Sequence, residues 1–220
     1  MTAENLQAIA LDPELQQLQI LACQRSPWYW LVNYVVTLDE HYMDAGAEVP
    51  YRRFPPKVYL RSAAHLWFKE RYTAWPKSRQ MMMTWLFAAL YYGDAIFLPG
   101  RLNFLQSKKE PDAVAVLKRV KMIDRQLRTH APWMAPRIVD DNETRLAFAN
   151  DSRIQAVPEG AHQIRSYTPT GLLMDEAQEQ PEAEQAFEAA LACCQRITIV
   201  GTADQGWMFQ VLLQDKVGRQ

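Results

Sequence analysis

The stretch TPTGLLMDEAQ, residues 168–178, is an apolar run that ends on two adjacent acids, Asp175 and Glu176. Its apolar centre, flanked by a Thr-Pro turn and by charge, predicts a short buried strand. An earlier stretch, WPKSRQMMMTW at residues 75–85, predicts a strand end, a polar turn and the start of a helix. In open α/β folds the carboxyl ends of parallel strands meet at one edge, where ligands bind. The two stretches therefore predict a parallel sheet with a ligand site at that edge.

Further apolar runs alternate with helical patterns on either side of these stretches, which is typical of a parallel sheet covered by helices. A long helix is predicted by EPDAVAVLKRVKMIDRQL at residues 110–127, which has an acidic first turn. The turn-forming pair Asn150-Asp151 lies between two runs and predicts a hairpin. The fold class is therefore α/β, with a mainly parallel central sheet. The predicted strands are YTAW (72–75), RLNFLQ (101–106), LAFAN (146–150), RIQAV (153–157), GLLMD (171–175) and RITIVGT (196–202).

The first 57 residues have a different character and predict a small helical subdomain before the sheet. Asp12-Pro13 is a capped helix start, and the apolar stretch WYWLVNYVV at residues 28–36 also predicts a helix. The proline-rich stretch DAGAEVPYRRFPPK, residues 44–57, interrupts regular structure. We therefore expect an N-terminal helical, lid-like segment over residues 1–57 and the core domain over residues 58–220.

Composition excludes several classes of protein. The chain is 49% hydrophobic and 22% charged, which is ordinary for a globular domain. No apolar run of about 18 residues predicts a membrane helix, and the start of the chain lacks a secretory signal, so we expect no membrane partner. Neither the three cysteines nor the four histidines have the spacing of metal ligands. The formal net charge of −1 hides a basic stretch at residues 101–137 and an acidic one at 175–188.

The two opening stretches together support nucleotide hydrolysis. A phosphate-binding loop of the usual form GxxxxGK(S/T) supplies backbone amides, a lysine and a hydroxyl for Mg²⁺. In KSRQMMMT, residues 77–84, both glycines are missing and Met83 stands at the lysine position, so only the Thr84 hydroxyl remains. The later stretch offers Asp175 for the Mg²⁺ shell and Glu176 to orient the attacking water. Each stretch alone also fits a plainer interpretation, as core-facing methionines and as a strand end that meets solvent.

The order of these motifs resembles the ATPase (motor) domain of the large terminase subunit of tailed bacteriophages, over roughly residues 20–205. That family has a P-loop NTPase fold of the ASCE type, and its loop commonly reads close to KSRQxGxS or SRQxGKT. The resemblance implies ATP and Mg²⁺ as cofactors, the metal held by Thr84 and Asp175, with Glu176 catalytic. Met82 stands where glycine is usual, so we expect residue 82 to avoid a left-handed conformation unless strained. The implied ATP-binding loop residues are Lys77, Ser78, Arg79, Gln80, Met81, Met82, Met83 and Thr84, in which Lys77 and Arg79 supply the positive charge.

The resemblance gives roles to four residues outside the loop. Phe54 and Pro55, in YRRFPPKVYLR at residues 51–61, are the implied adenine contacts, and a turn with one buried aromatic is the alternative. Thr202 in GTA resembles the coupling motif that senses the γ-phosphate. Arg165 resembles an arginine that reaches a neighbouring subunit's site as a catalytic finger. An ordinary surface arginine is the alternative, and Arg79 is a second candidate for the finger.

The implied function is a motor that moves double-stranded DNA into a procapsid in the cytoplasm of the infected bacterial host. The implied partners are double-stranded DNA, the portal protein and the small terminase subunit, with a homo-oligomeric ring when assembled and a monomer in isolation. Four basic residues of the long predicted helix are candidate DNA contacts, although most such faces are merely solvated: Lys118, Lys121, Arg125 and Arg128. The nuclease domain that family members carry is expected to be absent from this chain. A helicase-like ASCE translocase and a degenerate nucleotide-binding module remain the alternatives.

Overall fold

The computed structural model describes residues 2–39, 43, 48–78 and 81–202. A seven-stranded sheet forms its centre, and five adjacent strands of that sheet are parallel. The other two strands extend one edge as an antiparallel hairpin. In spatial order the strands are β3 (Tyr72–Lys77), β9 (Arg196–Thr202), β8 (Gly171–Met174), β4 (Leu102–Ser107), β7 (Arg153–Pro158), β6 (Arg145–Phe148) and β5 (Ile138–Asn142).

Helices cover both faces of this sheet, and a small antiparallel hairpin lies beside it. The hairpin pairs β1 (Val36–Leu38) with β2 (Tyr51–Arg53). A single 3₁₀ turn, Ala177–Glu179, follows β8. The helices are α1 (Ala3–Ala10), α2 (Pro13–Arg25), α3 (Pro27–Tyr34), α4 (Val58–Lys69), α5 (Met83–Phe97), α6 (Glu110–His130), α7 (His162–Tyr167) and α8 (Ala183–Leu191).

Two hydrophobic clusters hold the helices against the sheet, one on each face. Successive side chains of a strand point to opposite faces, so Leu173 belongs to the cluster with α3–α6, whereas Leu172 and Met174 belong to the cluster with α7 and α8. Both faces of β8 are fully buried, which explains its unbroken apolar sequence. The burial fixes the end of β8, and therefore Asp175, at the carboxyl edge of the sheet.

The N-terminal helices share the larger of these two clusters. Trp30 of α3 is buried against Tyr92 of α5, with ring centroids 5.9 Å apart, and its indole N–H donates to the carbonyl of Ala89 at 3.0 Å. The predicted cap at Asp12 is present, because its carboxylate accepts from the backbone N–H of Glu14 at 2.9 Å. Within the described residues the first three helices therefore pack on the same core as the sheet.

The α/β class and the parallel sheet predicted from the sequence are confirmed. Each predicted strand lies within two residues of an observed one, and the predicted hairpin is β6–β7. Three strands, β1, β2 and β5, were not predicted. The stretch 28–36 was predicted as helix throughout, but α3 ends at Tyr34 and the following residues pair in β1–β2. The sequence IVDDN of β5 has no hydrophobic alternation because this strand is a half-exposed edge with a register shift.

Candidate functional site

The site lies where β3 and β8 end and α5 begins. Lys77 is the last residue of β3, and it lies in register with Thr202, the last residue of β9. Asp175 and Glu176 follow β8 directly. These side chains come from separate parts of the chain, and the parallel arrangement brings their backbones to one edge of the sheet. The predicted assembly of the two stretches at that edge is therefore observed.

Thr84 and Asp175 are in direct contact. The Thr84 hydroxyl lies 3.2 Å and 3.3 Å from the two carboxylate oxygens of Asp175, which is only 7% exposed. Burial raises the pKa of the Asp175 carboxyl above its ordinary value, and the charge of Glu176 adds to the rise. The Lys77 ammonium and the Thr84 hydroxyl oppose it. Desolvation therefore disfavours the charged form of this carboxyl.

The same pair of oxygen donors fits Mg²⁺. Mg²⁺ is usually held by one or two protein oxygens together with water and substrate phosphates. No cluster of three or more His, Cys, Asp or Glu side chains able to hold a metal occurs in the described ranges of the chain. Thr84 and Asp175 therefore supply one hydroxyl and one carboxylate at this edge of the sheet.

Glu176 is held from two sides. The Lys77 ammonium donates to its Oε1 at 2.7 Å, and the Gln178 amide donates to its Oε2 at 2.6 Å. The Lys77 side chain is 10% exposed and that of Glu176 is 39% exposed. Glu176 also has a left-handed backbone, with φ of 49°, which is strained for a residue with a side chain. Such strain persists only where the surroundings fix the conformation.

Gln178 links this carboxylate to the end of β9. Its side-chain oxygen accepts the backbone N–H of Thr202 at 3.1 Å. A Cβ on Gly201 would lie 2.2 Å from that oxygen, so only glycine at residue 201 leaves room for the amide. A chain of hydrogen bonds therefore runs from Glu176 through Gln178 to Thr202. The sequence interpretation missed Gln178, and its place two residues after Glu176 was the only signal for it.

The loop before α5 departs from expectation at Met82. We expected this residue to avoid the left-handed region, but it has φ of 55° and ψ of 16°. Met82 is the residue directly before α5, and its carbonyl accepts the N–H of Leu86, so the strained conformation lies at the start of the helix. Met83 is 5% exposed and belongs to the core, while Ser78 is exposed. The predicted site residues Arg79 and Gln80 lie outside the described residues.

A cleft of about 590 Å³ opens beside the start of α5. Its lining includes four basic side chains and one acidic one, together with Pro55 and Trp85: Arg52, Arg53, Lys57, Arg119 and Asp39. Phe54 does not line this cleft, because it is 2% exposed and packs edge-to-face on Trp28 with ring centroids 6.4 Å apart. The adenine contact implied for Phe54 is therefore replaced by a role in the core, and Pro55 remains at the cleft.

The candidate finger and DNA contacts lie elsewhere on the surface. Arg165 on α7 is exposed. On α6, Lys121 forms an ion pair with Asp141 at 2.6 Å, and Arg128 pairs with Asp124 at 2.8 Å. Lys118 and Arg125 are the two exposed candidates on this helix.

The fold is P-loop NTPase-like. One strand of the parallel sheet leads through a loop to Thr84, and another strand ends on Asp175-Glu176. One strand, β9, lies between β3 and β8. Within the part of the chain that the structure describes, no helix combines the length and apolar character needed to span a membrane.

Among solved structures, the fold of this chain is similar to that of phage large terminase ATPase domains. The large terminase of bacteriophage HK97 superposes with a TM-score of 0.61 at 10% identity, covering 86% of this chain and 40% of that chain. The ATPase domain of the Thermus phage P74-26 large terminase, as an arginine-to-alanine variant, gives 0.54 at 13% identity and covers 80% and 74%. The unsubstituted domain gives 0.52 at 14% identity, covering 80% and 73%. No family profile and no curated protein sequence matches the chain.

Proposed function

We propose that this chain binds and hydrolyses ATP as the motor domain of a viral DNA-packaging terminase large subunit. The observation that carries the proposal is the meeting of Thr84 with Asp175 and of Lys77 with Glu176 at the carboxyl edge of one sheet. Four side chains from three separate segments supply there a hydroxyl, two carboxylates and an ammonium. These are the groups that Mg²⁺-dependent phosphoryl transfer to water requires.

The ATP phosphates would bind at the N-terminus of α5, where unpaired backbone N–H groups and the helix dipole favour an anion. Thr84 and Asp175 would hold Mg²⁺, which supplies charge neutralisation to the outer phosphates when bound. Lys77 gives its charge to the phosphates, along with the loop residues up to Met83. Lys77 pairs with Glu176. A bound phosphate would draw the ammonium away from Glu176, and the free carboxylate could then accept a proton from water.

Translocation of double-stranded DNA into a procapsid is the work to which this hydrolysis would be coupled. The likeness of the fold to terminase ATPase domains supports that assignment. Gln178 accepts a hydrogen bond from the backbone of Thr202, so a change at Glu176 would be transmitted to Thr202 through this side chain. Arg165 is exposed on α7, where a neighbouring subunit of a ring can approach it. Lys118 and Arg125 offer exposed positive charge for sequence-independent phosphate contacts. The portal protein and the small terminase subunit are the proposed partners, in the cytoplasm of the infected host.

A nucleotide-binding module without turnover is a second candidate, and the loop geometry favours it. Met82 holds a strained left-handed conformation, and Met83 points its side chain into the core, where a lysine would otherwise reach the phosphates. A helicase-like translocase is the third candidate function. The Asp175-Glu176 pair and Thr202 fit this kind of motor as well as a DNA-packaging motor.

Calorimetric titration with ATP and Mg²⁺, together with phosphate release, separates these candidates. Glu176→Ala is expected to bind ATP with an unchanged affinity and to lose hydrolysis, while the matched variant Glu188→Ala, an exposed acid on α8, keeps both. Normal turnover by Glu176→Ala would remove this residue from the mechanism. Absence of ATP binding by the wild type would reject the proposal, and binding without turnover would select the inactive module. Stimulation by double-stranded rather than single-stranded DNA distinguishes a packaging motor from a helicase.

A further inference from the structure

One arginine of α6, Arg119, lies half-buried between the two cavities beside the site. It lines the 590 Å³ cleft together with Met82 and Trp85. It also lines a second cavity of about 300 Å³ together with Asp175 and Glu176. No other described residue is shared by these two cavities. Arg119 therefore lies between the start of α5 and the two carboxylates.

The guanidinium of Arg119 is positioned by its neighbours on both helices. Its carbon lies 5.7 Å from the centroid of the Trp85 ring, and one of its N–H groups donates to the carbonyl of Ala115 at 3.3 Å. Trp85 follows Thr84 directly in α5, so the ring directs the guanidinium toward the start of that helix. The contact therefore brings a charge from α6 to the N-terminus of α5.

The other cations beside the acids are already paired. Lys77 pairs with Glu176 at 2.7 Å, and Lys108 pairs with Glu179 at 3.2 Å. The described contacts of the Arg119 guanidinium are with the Ala115 carbonyl and the Trp85 ring, and its charge helps to lower the pKa of the Asp175 carboxyl. An anion entering between the two cavities therefore meets the Arg119 guanidinium beside Asp175 and Glu176.

We propose that Arg119 binds the outer phosphates of ATP in its own subunit and supplies the positive charge that Met83 cannot. This inference rests on the proposed ATPase function. A guanidinium presents donors in a planar fork that matches phosphate oxygens, and it keeps its charge at any working pH. The standard loop places this charge on its own lysine, whereas here it arrives from α6 and is held by Trp85.

The test is calorimetric titration of the full chain with ATP and Mg²⁺, and separately with ADP and Mg²⁺. Arg119→Ala is expected to raise the Kd for ATP about ten- to a hundredfold, the range for a lost charged hydrogen bond, with a smaller effect on ADP. Arg119→Lys keeps the charge without the fork and should fall between wild type and Arg119→Ala. Arg25→Ala is the matched control, because Arg25 is exposed at the end of α2, beside Gln24, whose amide binds the Phe97 carbonyl far from the site.

Far-UV circular dichroism and the thermal midpoint establish that each variant is folded, and Arg119→Lys carries the test if Arg119→Ala is not. A wild-type Kd and turnover in Arg119→Ala would overturn the role of Arg119 while leaving the ATPase proposal in place. An equal loss in Arg25→Ala would also overturn it, since the effect would then reflect total charge. Failure of the wild type to bind ATP would reject the ATPase proposal and this inference with it.

Discussion

Replacing Gln178 by alanine is expected to slow ATP turnover without weakening ATP binding. The side chain holds Glu176 through a 2.6 Å hydrogen bond and holds the backbone of Thr202 at 3.1 Å. A hydrogen bond to a charged group contributes about 1.5–3 kcal/mol. Glu176 is 39% exposed, so water replaces part of this interaction and we take roughly 1 kcal/mol as the loss. If all of it reflects the orientation of the carboxylate in the transition state, kcat falls roughly five- to tenfold.

The assay is phosphate release at saturating ATP, with the Kd for ATP measured alongside by calorimetry. Gln185→Ala, which removes an exposed glutamine from α8, is the matched control and should turn over at the wild-type rate. A purely structural role for Gln178 would lower the thermal midpoint and leave kcat per folded molecule unchanged. A kcat within twofold of wild type in a folded Gln178→Ala protein would refute the positioning role.

Three other substitutions address the same edge of the sheet. Gly201→Ala places a methyl group where the Gln178 amide oxygen lies, so it should reproduce the kinetic loss of Gln178→Ala; wild-type turnover would contradict the contact. Asp175→Asn should abolish Mg²⁺-dependent hydrolysis yet raise the thermal midpoint at pH 7. Because the pKa of Asp175 is raised on folding, its contribution to stability is present below its unfolded pKa and is lost as pH rises through the folded value. The rise in thermal midpoint of Asp175→Asn should therefore vanish on acidification. A rise that is equal at all pH values would exclude desolvation of the Asp175 carboxylate as its cause. Met83→Lys should lower the free energy of unfolding by up to several kcal/mol if the ammonium stays buried, and should not tighten ATP binding. Met83→Leu is the matched control. Tighter ATP binding at unchanged stability would show that the lysine position is functional.

The sequence predicted the sheet well because its strands are short apolar runs bounded by turn residues. That signal is local, and burial on both faces strengthens it at β8. The three missed strands lack it: β5 reads IVDDN, and β1 and β2 are three residues each, within an aromatic run and a proline-rich stretch. Pairing with a neighbouring strand defines these elements, and pairing is a tertiary property.

The site was predicted where it depends on position along a strand and missed where it depends on contacts between elements. Asp175, Glu176 and Thr84 follow from the ends of elements, so their meeting was foreseeable. Phe54 was misassigned because an aromatic residue beside prolines gives no sign of whether it faces a cleft or the core. Arg119 lies within the basic stretch 101–137 and received no role of its own, since a solvated helix face and a face that binds phosphate have the same pattern in one sequence.

Under the proposed function, these contacts compensate for a loop that lacks both the glycines and the lysine of the usual pattern. The standard loop concentrates its wrapping amides, its cation and its hydroxyl in one short segment. Here the hydroxyl of Thr84 keeps its place, whereas the cations come from the end of β3 and from α6. The Met82 backbone accepts the left-handed turn that glycine would make without strain, at a cost of about 1–2 kcal/mol. Under the proposed function, the phosphate-binding charge depends on how α5, α6 and β3 are packed, so a change in that packing would alter phosphate binding, as a motor requires.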